Sequence, residues 1–511
     1  MSRTTDRGRI PTSADAGAGL DRSVPRVPRR TLLKAAGAAT LATAAGAAVA
    51  PSAWAEGGGR TAFDVIVVGA GLAGVTAARE LRAKGKQVLL LEARNRIGGR
   101  TWTDTFRGQQ IERGGTWVDP TQPHVWRELA RYQVPLTADQ WSDRVILPTL
   151  TGFQEYDATV AYQRQAQLFT QYFAGATTLF PKPFEPLTRQ DLLQDADRYS
   201  LRDRLDQLNY APADEIRLTS TTSLFGGTSK RGAYSHLAQW WALAGGTFEG
   251  FHNVNTYRPL NGTVSLLNAI LTDAAPTVRL NSPVASIVQQ GTEARVTTRA
   301  GEQFTAPEVI LAVPVNVWRT ITFDPPLPEP HRLASTAGIG VPHERKIWLD
   351  LKQPAGRFVA EAPEGYPICI MGRLNDGQHV VAFAIQPGFD VNDRTKVEAA
   401  VKQVVPQAEL VDYTATDWDT EEFSLGAGAF RQPFQLTTLF HQIQQPHGRV
   451  KFAGGDIANG WSGYMDGAVE SGLRAAGSPT LNAAATPGSS SWPPIVGHAA
   501  NPTAYRSAFA F

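Results

Sequence analysis

Residues 64–100, DVIVVGAGLAGVTAARELRAKGKQVLLLEARNRIGGR, decide the fold. The apolar run at 65–68 is typical of a strand that is buried on both faces of a parallel sheet. It ends in a G-x-G-x-x-G pattern formed by Gly69, Gly71 and Gly74, and a helical pattern follows. The first glycine permits a tight turn, the second lets a pyrophosphate approach the backbone, and the third lets the helix pack on the strand. The stretch therefore predicts a dinucleotide-binding βαβ unit, with the pyrophosphate at the helix N-terminus.

An acidic residue follows at the spacing that a dinucleotide site needs. A second apolar run at 87–91 ends in Glu92, which lies 21 residues after Gly71. At about this spacing an acidic side chain accepts hydrogen bonds from the adenosine ribose hydroxyls. Strand, turn, helix, second strand and terminal Glu all occur in register, which favours a working site over a purely structural glycine turn.

The residues after Glu92 separate a flavin site from a nicotinamide site. Residues 93–100 hold a second turn, in which Arg94, Gly99 and Arg100 offer cationic and backbone donors beside the same diphosphate. The pattern E-A-R-x-R-x-G-G-R after such a unit resembles the flavin-containing amine oxidase family, which includes monoamine oxidases, polyamine oxidases and L-amino-acid oxidases. The resemblance implies a bound FAD and the α/β fold class. A Rossmann-like FAD-binding domain would be interleaved with an α+β substrate-binding domain, a mixed sheet flanked by helices.

The resemblance also implies the domain boundaries. Helical patterns with interleaved aromatic residues fill much of the middle of the chain, and Ser, Pro, Ala and Gly dominate its end. We assign the FAD-binding domain to residues 60–135, 257–328 and 419–476, the substrate-binding domain to 136–256 and 329–418, and a flexible tail without chemistry to 477–511.

The first 55 residues have the pattern of an export signal. Arg29 and Arg30 precede a short Ala-rich run at 35–50, and an A-x-A site ends at Ala55. The paired arginines resemble the twin-arginine type of exported bacterial proteins, a route that carries folded proteins and allows cofactor loading inside the cell. The run is too short and too weakly apolar for a spanning helix, so we expect no stable membrane anchor. We predict cleavage after Ala55 and a secreted or periplasmic mature protein.

The composition indicates a folded protein and offers no electrostatic case for nucleic-acid binding. The 511 residues suffice for two domains, and 42% hydrophobic with 19% charged residues excludes a disordered chain. The net charge of +2 becomes −3 without residues 1–55, which hold eight Lys or Arg and three Asp or Glu. The single Cys369 excludes an intrachain disulfide and a Cys-rich metal site. We predict no metal, and the sequence leaves open whether the chain forms a homodimer.

Three later motifs carry further cofactor contacts that the resemblance implies. The turn at 114–118 matches the segment that passes beside the isoalloxazine ring. Val284 matches a residue that contacts adenine through its backbone. The block at 448–476 contains a helix whose first turn would offer N–H groups to the flavin carbonyl next to N1. These motifs imply cofactor contacts for Gly115, Thr116, Trp117, Val284, Gly455, Asp456 and Trp461.

Lys346 lies in a strand pattern and would ordinarily face solvent. The resemblance implies instead a catalytic role, because a Lys at this place in the family reaches the flavin N5 through a water. Its flanking residues and its position along the chain match that motif.

Aromatic residues are the candidates for the substrate site. Many relatives place two aromatic rings as a sandwich in front of the flavin, and Tyr464 matches one of them. The segment 425–430 should supply the other, but it holds neither the Tyr of most relatives nor the flavin-bound Cys of the mitochondrial enzymes. We therefore expect non-covalent FAD and a half-open sandwich that admits a bulky amine. Tyr464, Trp418, Phe430 and Trp240 are the predicted substrate residues, and Tyr464 is also predicted to be catalytic with Lys346.

The resemblance implies oxidation of a primary or secondary amine to an imine, by hydride transfer to flavin N5. Hydrolysis of the imine then gives an aldehyde or ketone, and either O2 or an extracytoplasmic electron carrier reoxidises the flavin. Three alternatives stay open: an L-amino-acid oxidase, a flavin-dependent desaturase or dehydrogenase, and a non-catalytic flavin protein. The first is disfavoured because residues 116–122 hold no Arg for a substrate carboxylate, and Arg127 lies in an apparent helix that faces elsewhere.

Overall fold

The computed structural model describes residues 63–139, 142–226, 228–340, 344–352, 356–374, 379–483 and 492–496. The predicted export signal at 1–55 lies outside these residues. No helix within the described ranges is long and apolar enough to cross a membrane.

The chain combines groups of consecutive strands with a long run of helices between residues 158 and 253. The strands are β1 (Val65–Val68), β2 (Val88–Leu91), β3 (Thr103–Phe106), β4 (Gln109–Glu112), β5 (Leu136–Ala138), β6 (Arg144–Thr149), β7 (Gly152–Asp157), β8 (Tyr257–Pro259), β9 (Thr277–Arg279), β10 (Val284–Gln290), β11 (Glu293–Thr298), β12 (Gln303–Ala306), β13 (Glu308–Leu311), β14 (Thr322–Asp324), β15 (Arg345–Leu351), β16 (Phe358–Glu361), β17 (Ile368–Arg373), β18 (His379–Ala384), β19 (Leu410–Asp417) and β20 (Val450–Phe452). The α-helices are α1 (Leu72–Ala83), α2 (Pro123–Arg131), α3 (Ala158–Tyr172), α4 (Ala176–Leu179), α5 (Gln190–Ala196), α6 (Leu201–Leu208), α7 (Pro212–Glu215), α8 (Thr219–Gly226), α9 (Tyr234–Leu243), α10 (Phe248–Asn253), α11 (Thr263–Ala274), α12 (Glu329–Ala337), α13 (Arg394–Val404) and α14 (Met465–Ala475). Short 3-10 turns lie at 315–320, 442–444 and 455–457, and a π turn lies at 436–440.

A parallel sheet in the order β20-β13-β1-β2-β9 forms the first lobe, as the apolar runs of the sequence predict. Strand β1 lies at its centre and is buried on both faces. Val65 and Val67 pack into a core shared with α1, α11 and α14, whereas Ile66 and Val68 pack into the core on the other face. We call this part the FAD lobe. The α/β fold class predicted from the sequence is confirmed.

The glycine turn after β1 is as tight as its pattern predicts. Gly69 has φ +103°, and a Cβ on Gly74 would lie 1.8 Å from the carbonyl oxygen of Gly69. Only glycine at both places therefore lets α1 begin directly against β1. A Cβ on Gly71 would meet nothing closer than the Gly98 oxygen at 3.8 Å, so this position leaves open space at the N-terminus of α1.

A second sheet, in the order β19-β15-β18-β17-β16-β6-β7, forms the substrate lobe together with a cluster of helices. Helices α3 and α6 are among the helical patterns that the middle of the sequence predicts. The segment from 136 differs from the helical pattern expected there, because it opens with β5, β6 and β7. Strands β6 and β7 complete the sheet by pairing beside β16.

Part of the predicted tail packs against the FAD lobe. Trp492 meets Trp126 edge to face, with ring centroids 5.1 Å apart. Leu136 donates its N–H to the Pro494 oxygen at 2.7 Å, and Val496 donates to the Leu136 oxygen at 2.8 Å. Residues 492–496 therefore extend the strand pairing of β5.

Exchange of Gly71 and of Gly74 for Ala should have opposite consequences. Gly74→Ala should lower the melting temperature sharply or prevent folding, because its methyl group overlaps the Gly69 carbonyl. Gly71→Ala has room and an ordinary backbone conformation, so it should fold, yet its methyl group would occupy the space reserved for a pyrophosphate. The measurements are thermal melting of protein stripped of cofactor, and FAD content after reconstitution. Equal FAD binding by Gly71→Ala and the unmodified protein would contradict the assignment of this turn.

Candidate active site

One continuous cavity of about 560 Å³ runs from the glycine turn into the substrate lobe. The FAD lobe lines one end through the turns after β1 and β2. The other end lies among α3, α8, α10 and the face of β15 to β18. Predicted site residues that line this cavity are Gly69, Gly71, Glu92, Arg94, Gly99, Arg100, Gly115, Thr116, Trp117, Trp240, Val284, Lys346, Trp418, Gly455 and Tyr464.

Glu92 closes the glycine turn. One of its carboxylate oxygens accepts the N–H of Ala70 at 2.8 Å, and the other accepts the N–H of Arg94 at 2.9 Å. Glu92 is buried and lines the cavity, and Val284 at the start of β10 lines the cavity as well. The carboxylate thus fixes both turns of the dinucleotide end and retains lone pairs toward the cavity.

The two arginines predicted to reach a diphosphate are already paired with carboxylates. Arg94 forms an ion pair with Glu421 and donates to Ser424 Oγ at 3.0 Å. Arg100 forms an ion pair with Asp456 at 2.6 Å and donates to the Ala427 oxygen at 2.7 Å. These contacts hold both guanidinium groups in place and offset their charge locally.

Asp456, predicted to contact the cofactor, lies outside the cavity wall. Its side chain does not line the cavity but bridges Arg100 and the N–H of Val315, which donates at 2.8 Å. Gly74 is also absent from the cavity wall, since it serves the packing of α1 on β1.

Lys346 lies where the two lobes meet. Its side chain is only 2% exposed and crosses from β15 to the FAD lobe, where Nζ donates to the Gly114 oxygen at 2.7 Å and to Thr116 Oγ1. The ammonium also lies 5.1 Å from the ring centroid of Trp117 and 5.5 Å from that of Trp348. This lysine is therefore a cavity residue, in contrast to a solvent-facing strand position.

Burial lowers the pKa of Lys346 to about 8, although the carboxylates of Glu112 and Glu344 oppose this shift. Burial in turn raises the pKa of Glu344 to about 7, against the effect of Lys346 and Arg100. Glu112 accepts hydrogen bonds from Thr103 and Thr263, and burial raises its pKa as well. One cation and two carboxylates thus share the junction of the lobes.

Tyr464 forms an aromatic wall at the start of α14. Its ring meets Trp240 at 4.8 Å and Trp461 at 4.9 Å, both edge to face. Trp240 donates to the Ser462 oxygen at 3.1 Å, and Trp461 donates to the Thr121 oxygen at 2.7 Å. These two hydrogen bonds fix the rings that support Tyr464.

The structure places two predicted residues outside the cavity wall. Trp461, predicted to contact the cofactor, does not line the cavity and packs edge to face against Tyr464. Phe430 stacks on His236 at 4.4 Å behind Trp240, so it does not close the predicted sandwich. Ala427, Gly428 and Ala429 line the cavity in that segment instead. Small residues there leave the space opposite the aromatic wall open.

Trp418 lines the cavity on the side of the Gly114 turn. Its indole N–H donates to the Arg113 oxygen at 2.9 Å, and its ring would lie 2.9 Å from a Cβ on Gly114. Trp418 is therefore well placed to hold the turn that carries Gly115 and Thr116.

Sequence reasoning missed most of the far end of the cavity. It is lined by aromatic side chains and a carboxylate that no motif marks, namely Tyr162, Phe169, Phe248, Phe251, Phe383 and Glu361. Glu361 is the carboxylate among these residues. Periodicity could have placed Glu361 on a strand, but only the sheet register shows what it faces.

The arginines that line the cavity within the described residues are Arg94, Arg100 and Arg299. Arg299 pairs with Glu422 at the dinucleotide end. Arg127 lies near Glu128 at 3.6 Å and does not line the cavity. A carboxylate-binding Arg is thus missing from the described wall at the substrate end, as the sequence indicates.

The residues present fit the FAD that the sequence predicts. The N-terminus of α1 has no side-chain cap and faces the open space at Gly71. Helix α14 also begins without a side-chain cap, and Tyr464, Met465 and Ala468 of its first turns line the cavity. Gly69, Gly71, Glu92 and Val284 would hold the adenosine diphosphate part, while the turn at 114–117 and the start of α14 would hold the flavin ring.

Comparison with known proteins places this site in a family. The model of the flavin containing amine oxidoreductases matches residues 72–478. The chain is 34% identical to nicotine dehydrogenase of Pseudomonas putida over 81% of this chain and 87% of that protein. It is 29% identical to (S)-6-hydroxynicotine oxidase of Paenarthrobacter nicotinovorans over 80% of this chain and 97% of that protein.

Solved structures show the same fold. A putrescine oxidase superposes with a TM-score of 0.69 at 24% identity, over 81% of this chain and 98% of that chain. The family match begins at α1, the helix that follows the glycine turn, and ends just after α14. It therefore includes both lobes and the cavity between them. The chain therefore belongs to the family of flavin-containing amine oxidoreductases.

Proposed function

We propose that this chain oxidises a primary or secondary amine that carries an aromatic or otherwise apolar group. As a member of its family it is an FAD-dependent oxidoreductase that acts on small-molecule amines, and O2 is the first of two candidate acceptors. The observation that carries the substrate proposal is the aromatic lining of the cavity beyond Lys346. When bound, FAD is the two-electron acceptor that takes a hydride from the carbon next to nitrogen.

The reaction balances as follows. The amine loses two electrons and two protons to become an imine, and O2 takes them up to give hydrogen peroxide. Water then hydrolyses the imine to an aldehyde or ketone and releases ammonia or the smaller amine. The chain's own residues bind and orient the amine and exclude bulk water from the oxidised carbon.

The aromatic wall favours the reactive form of the substrate. An ammonium group has no lone pair to assist loss of hydride, so the amine must be neutral. Rings such as Tyr464, Trp240 and Phe383 offer little solvation to a cation compared with water, and desolvation lowers the pKa of an amine. The open space beside Ala427 to Ala429 would accommodate a branched or bulky group.

The experiment that tests the proposal is anaerobic mixing with three matched compounds, followed by the flavin absorption band near ~450 nm. Phenethylamine and its N-methyl derivative should bleach the band. L-phenylalanine has the same frame plus a carboxylate and should not, because the described cavity wall offers no Arg at the substrate end. Bleaching by the amino acid alone would overturn the proposal in favour of an L-amino-acid oxidase, and bleaching by none would favour a desaturase or a non-catalytic role.

A second candidate concerns the electron acceptor. The relative at 34% identity is a dehydrogenase by name, which favours an acceptor other than O2. For an exported protein this would be an extracytoplasmic electron carrier. A comparison of turnover with O2 and with an artificial one-electron acceptor distinguishes the two candidates.

We assign to Lys346 the water-mediated contact with flavin N5 that the family resemblance implies. The protonated side chain is held by Gly114 and Thr116 and can present its remaining hydrogen to a water. Because its pKa is about 8, Lys346 loses its positive charge as the pH rises through that value.

Lys346→Met should retain FAD and slow reoxidation by O2 by about a hundredfold to a thousandfold, the range for loss of one preorganised hydrogen-bond donor. In the unmodified enzyme the reoxidation rate should fall as the pH rises past about 8, and in the variant it should lose this dependence. Lys352→Met is the matched control, since Lys352 follows the same strand but is exposed and pairs with Glu409. An unchanged oxidative half-reaction in Lys346→Met would leave Lys346 a purely structural role.

Non-covalent FAD and export complete the proposal. Residues 425–430 hold no Cys, and the buried Cys369 does not line the cavity, so acid precipitation should release FAD into the supernatant.

The paired Arg29 and Arg30 support twin-arginine export to a secreted or periplasmic location. Replacement of both by Lys should retain the uncleaved, folded protein inside the cell, which fractionation and immunoblotting would show. Normal export of this variant would contradict the twin-arginine assignment. Formation of a homodimer stays a prediction, which light scattering of the purified protein would test.

A further inference from the structure

Four side chains form a row across the sheet of the substrate lobe. Lys346 on β15 pairs with Phe383 on β18, Phe383 pairs with Ile370 on β17, and Ile370 pairs with Glu361 on β16. Directly paired residues of antiparallel strands point to the same face of a sheet. All four side chains line the cavity, so this row is one continuous wall of it.

The row sets the distance between the two charged residues. Three strand spacings separate β15 from β16, which places the backbones of Lys346 and Glu361 about 14 Å apart. Phe383 and Ile370 fill the interval with apolar surface. A ligand along this wall would therefore pass from a polar group beside Lys346, across apolar side chains, to a carboxylate.

The carboxylate of Glu361 is held in position from two helices. Its Oε2 accepts hydrogen bonds from Gln165 of α3 at 3.1 Å and from Ser220 of α8 at 2.9 Å. Among the hydrogen bonds of the described residues, the two that reach this carboxylate both fall on Oε2 and leave Oε1 able to accept another. The two donors favour the ionised form and oppose the effect of burial, which raises the pKa of Glu361.

The surroundings of Glu361 supply no positive charge. None of the ion pairs formed by the described residues includes Glu361, and burial raises its pKa without a cation to oppose the shift. His252 also lines the cavity, but burial lowers its pKa to about 4, so it is neutral at physiological pH. Glu361 is half-buried at the cavity wall, and holding an ionised carboxylate away from water without a cation costs free energy that a cationic ligand would offset.

We propose that Glu361 binds a second, positively charged nitrogen of the substrate, at the end remote from the carbon that is oxidised. This inference rests on the proposed function and deepens it, since the substrate class becomes a diamine with an apolar spacer. The nitrogen at the Lys346 end is neutral and reacts, whereas the distal nitrogen stays protonated and pairs with the carboxylate. Phe383 and Ile370 pack against the spacer.

The test compares hexylamine with 1,5-diaminopentane, two amines with the same number of heavy atoms that differ only in the distal group. The unmodified enzyme should have a higher kcat/KM for the diamine. In Glu361→Gln this value should fall by about 30-fold or more, the range for truncating one partner of a buried charge pair. The value for hexylamine should stay within about twofold, because its terminal methyl group makes no charged contact.

Glu364→Gln is the matched control. Glu364 lies three residues away and also accepts a hydrogen bond from a serine, Ser229, but it is exposed and does not line the cavity. The Glu364→Gln substitution removes the same charge as Glu361→Gln and should leave the preference for the diamine intact. FAD content and melting temperature of both variants show whether either has changed the fold.

The outcomes separate this inference from the proposed function. Oxidation of both amines without a diamine preference in the unmodified enzyme overturns the role of Glu361 and leaves amine oxidation standing. Oxidation of neither these amines nor the phenethylamines overturns amine oxidation itself. An equal loss for both amines in Glu361→Gln would identify Glu361 as a structural tie between β16, α3 and α8, and would also overturn the inference. If Glu361→Gln does not fold, the kcat/KM of the unmodified enzyme for the diamine, compared with hexylamine, still tests the inference.

Discussion

The contact between β15 and the turn at 112–116 joins the two lobes, and the geometry of the whole site depends on it. Lys346 donates to Gly114 and Thr116, and Trp348 on the same face of the strand donates to the Glu112 oxygen at 2.8 Å. Trp418, just past β19, donates to the Arg113 oxygen. Three side chains of the substrate lobe thus donate to three consecutive carbonyls, from the last residue of β4 into the turn that follows it. A carbonyl that loses its donor and stays buried costs about 1–3 kcal/mol. The Gly114 oxygen keeps a second donor, because Thr116 Oγ1 also donates to it at 3.0 Å. Because the same turn lines the cofactor end of the cavity, its hydrogen bonds align the substrate wall with the flavin position.

The sequence predicted those parts of the molecule whose geometry follows from local rules. Val65 to Val68 read as a buried parallel strand. Gly69 and Gly74 occupy positions where a Cβ would overlap backbone, and Gly71 leaves open space at the start of α1. Such constraints act within about thirty residues, so one chain segment contains all the necessary information. The predicted place of Lys346 depended on the family resemblance, because its strand pattern by itself favours an exposed side chain.

The parts that escaped prediction depend on pairs of residues far apart in the chain. Arg100 looks like a free phosphate ligand until the fold brings Asp456 beside it. Phe430 and Trp461 lie in the expected segments, yet the direction of each ring is set by packing against His236 and Tyr464. Glu361 carries no motif, and its position opposite Lys346 follows only from the register of four strands. A shift of one residue in any of these pairings would turn its side chain to the other face of the sheet.

The division of the cavity between two lobes explains how holding a cofactor and choosing a substrate can change separately. The glycine turn tolerates almost no variation, because added atoms at Gly69 or Gly74 would overlap backbone. The row on β15 to β18 is different, since Phe383 and Ile370 meet the cavity only through side chains on a regular sheet. Their exchange alters the shape and polarity of the wall and leaves the backbone hydrogen bonds of the sheet unchanged. Glu361 is less free than its neighbours, because Gln165 and Ser220 from two helices converge on it. A carboxylate supported in this way keeps its position without a ligand, so a distal cation would meet a site that is already formed and would lose little binding energy to ordering it.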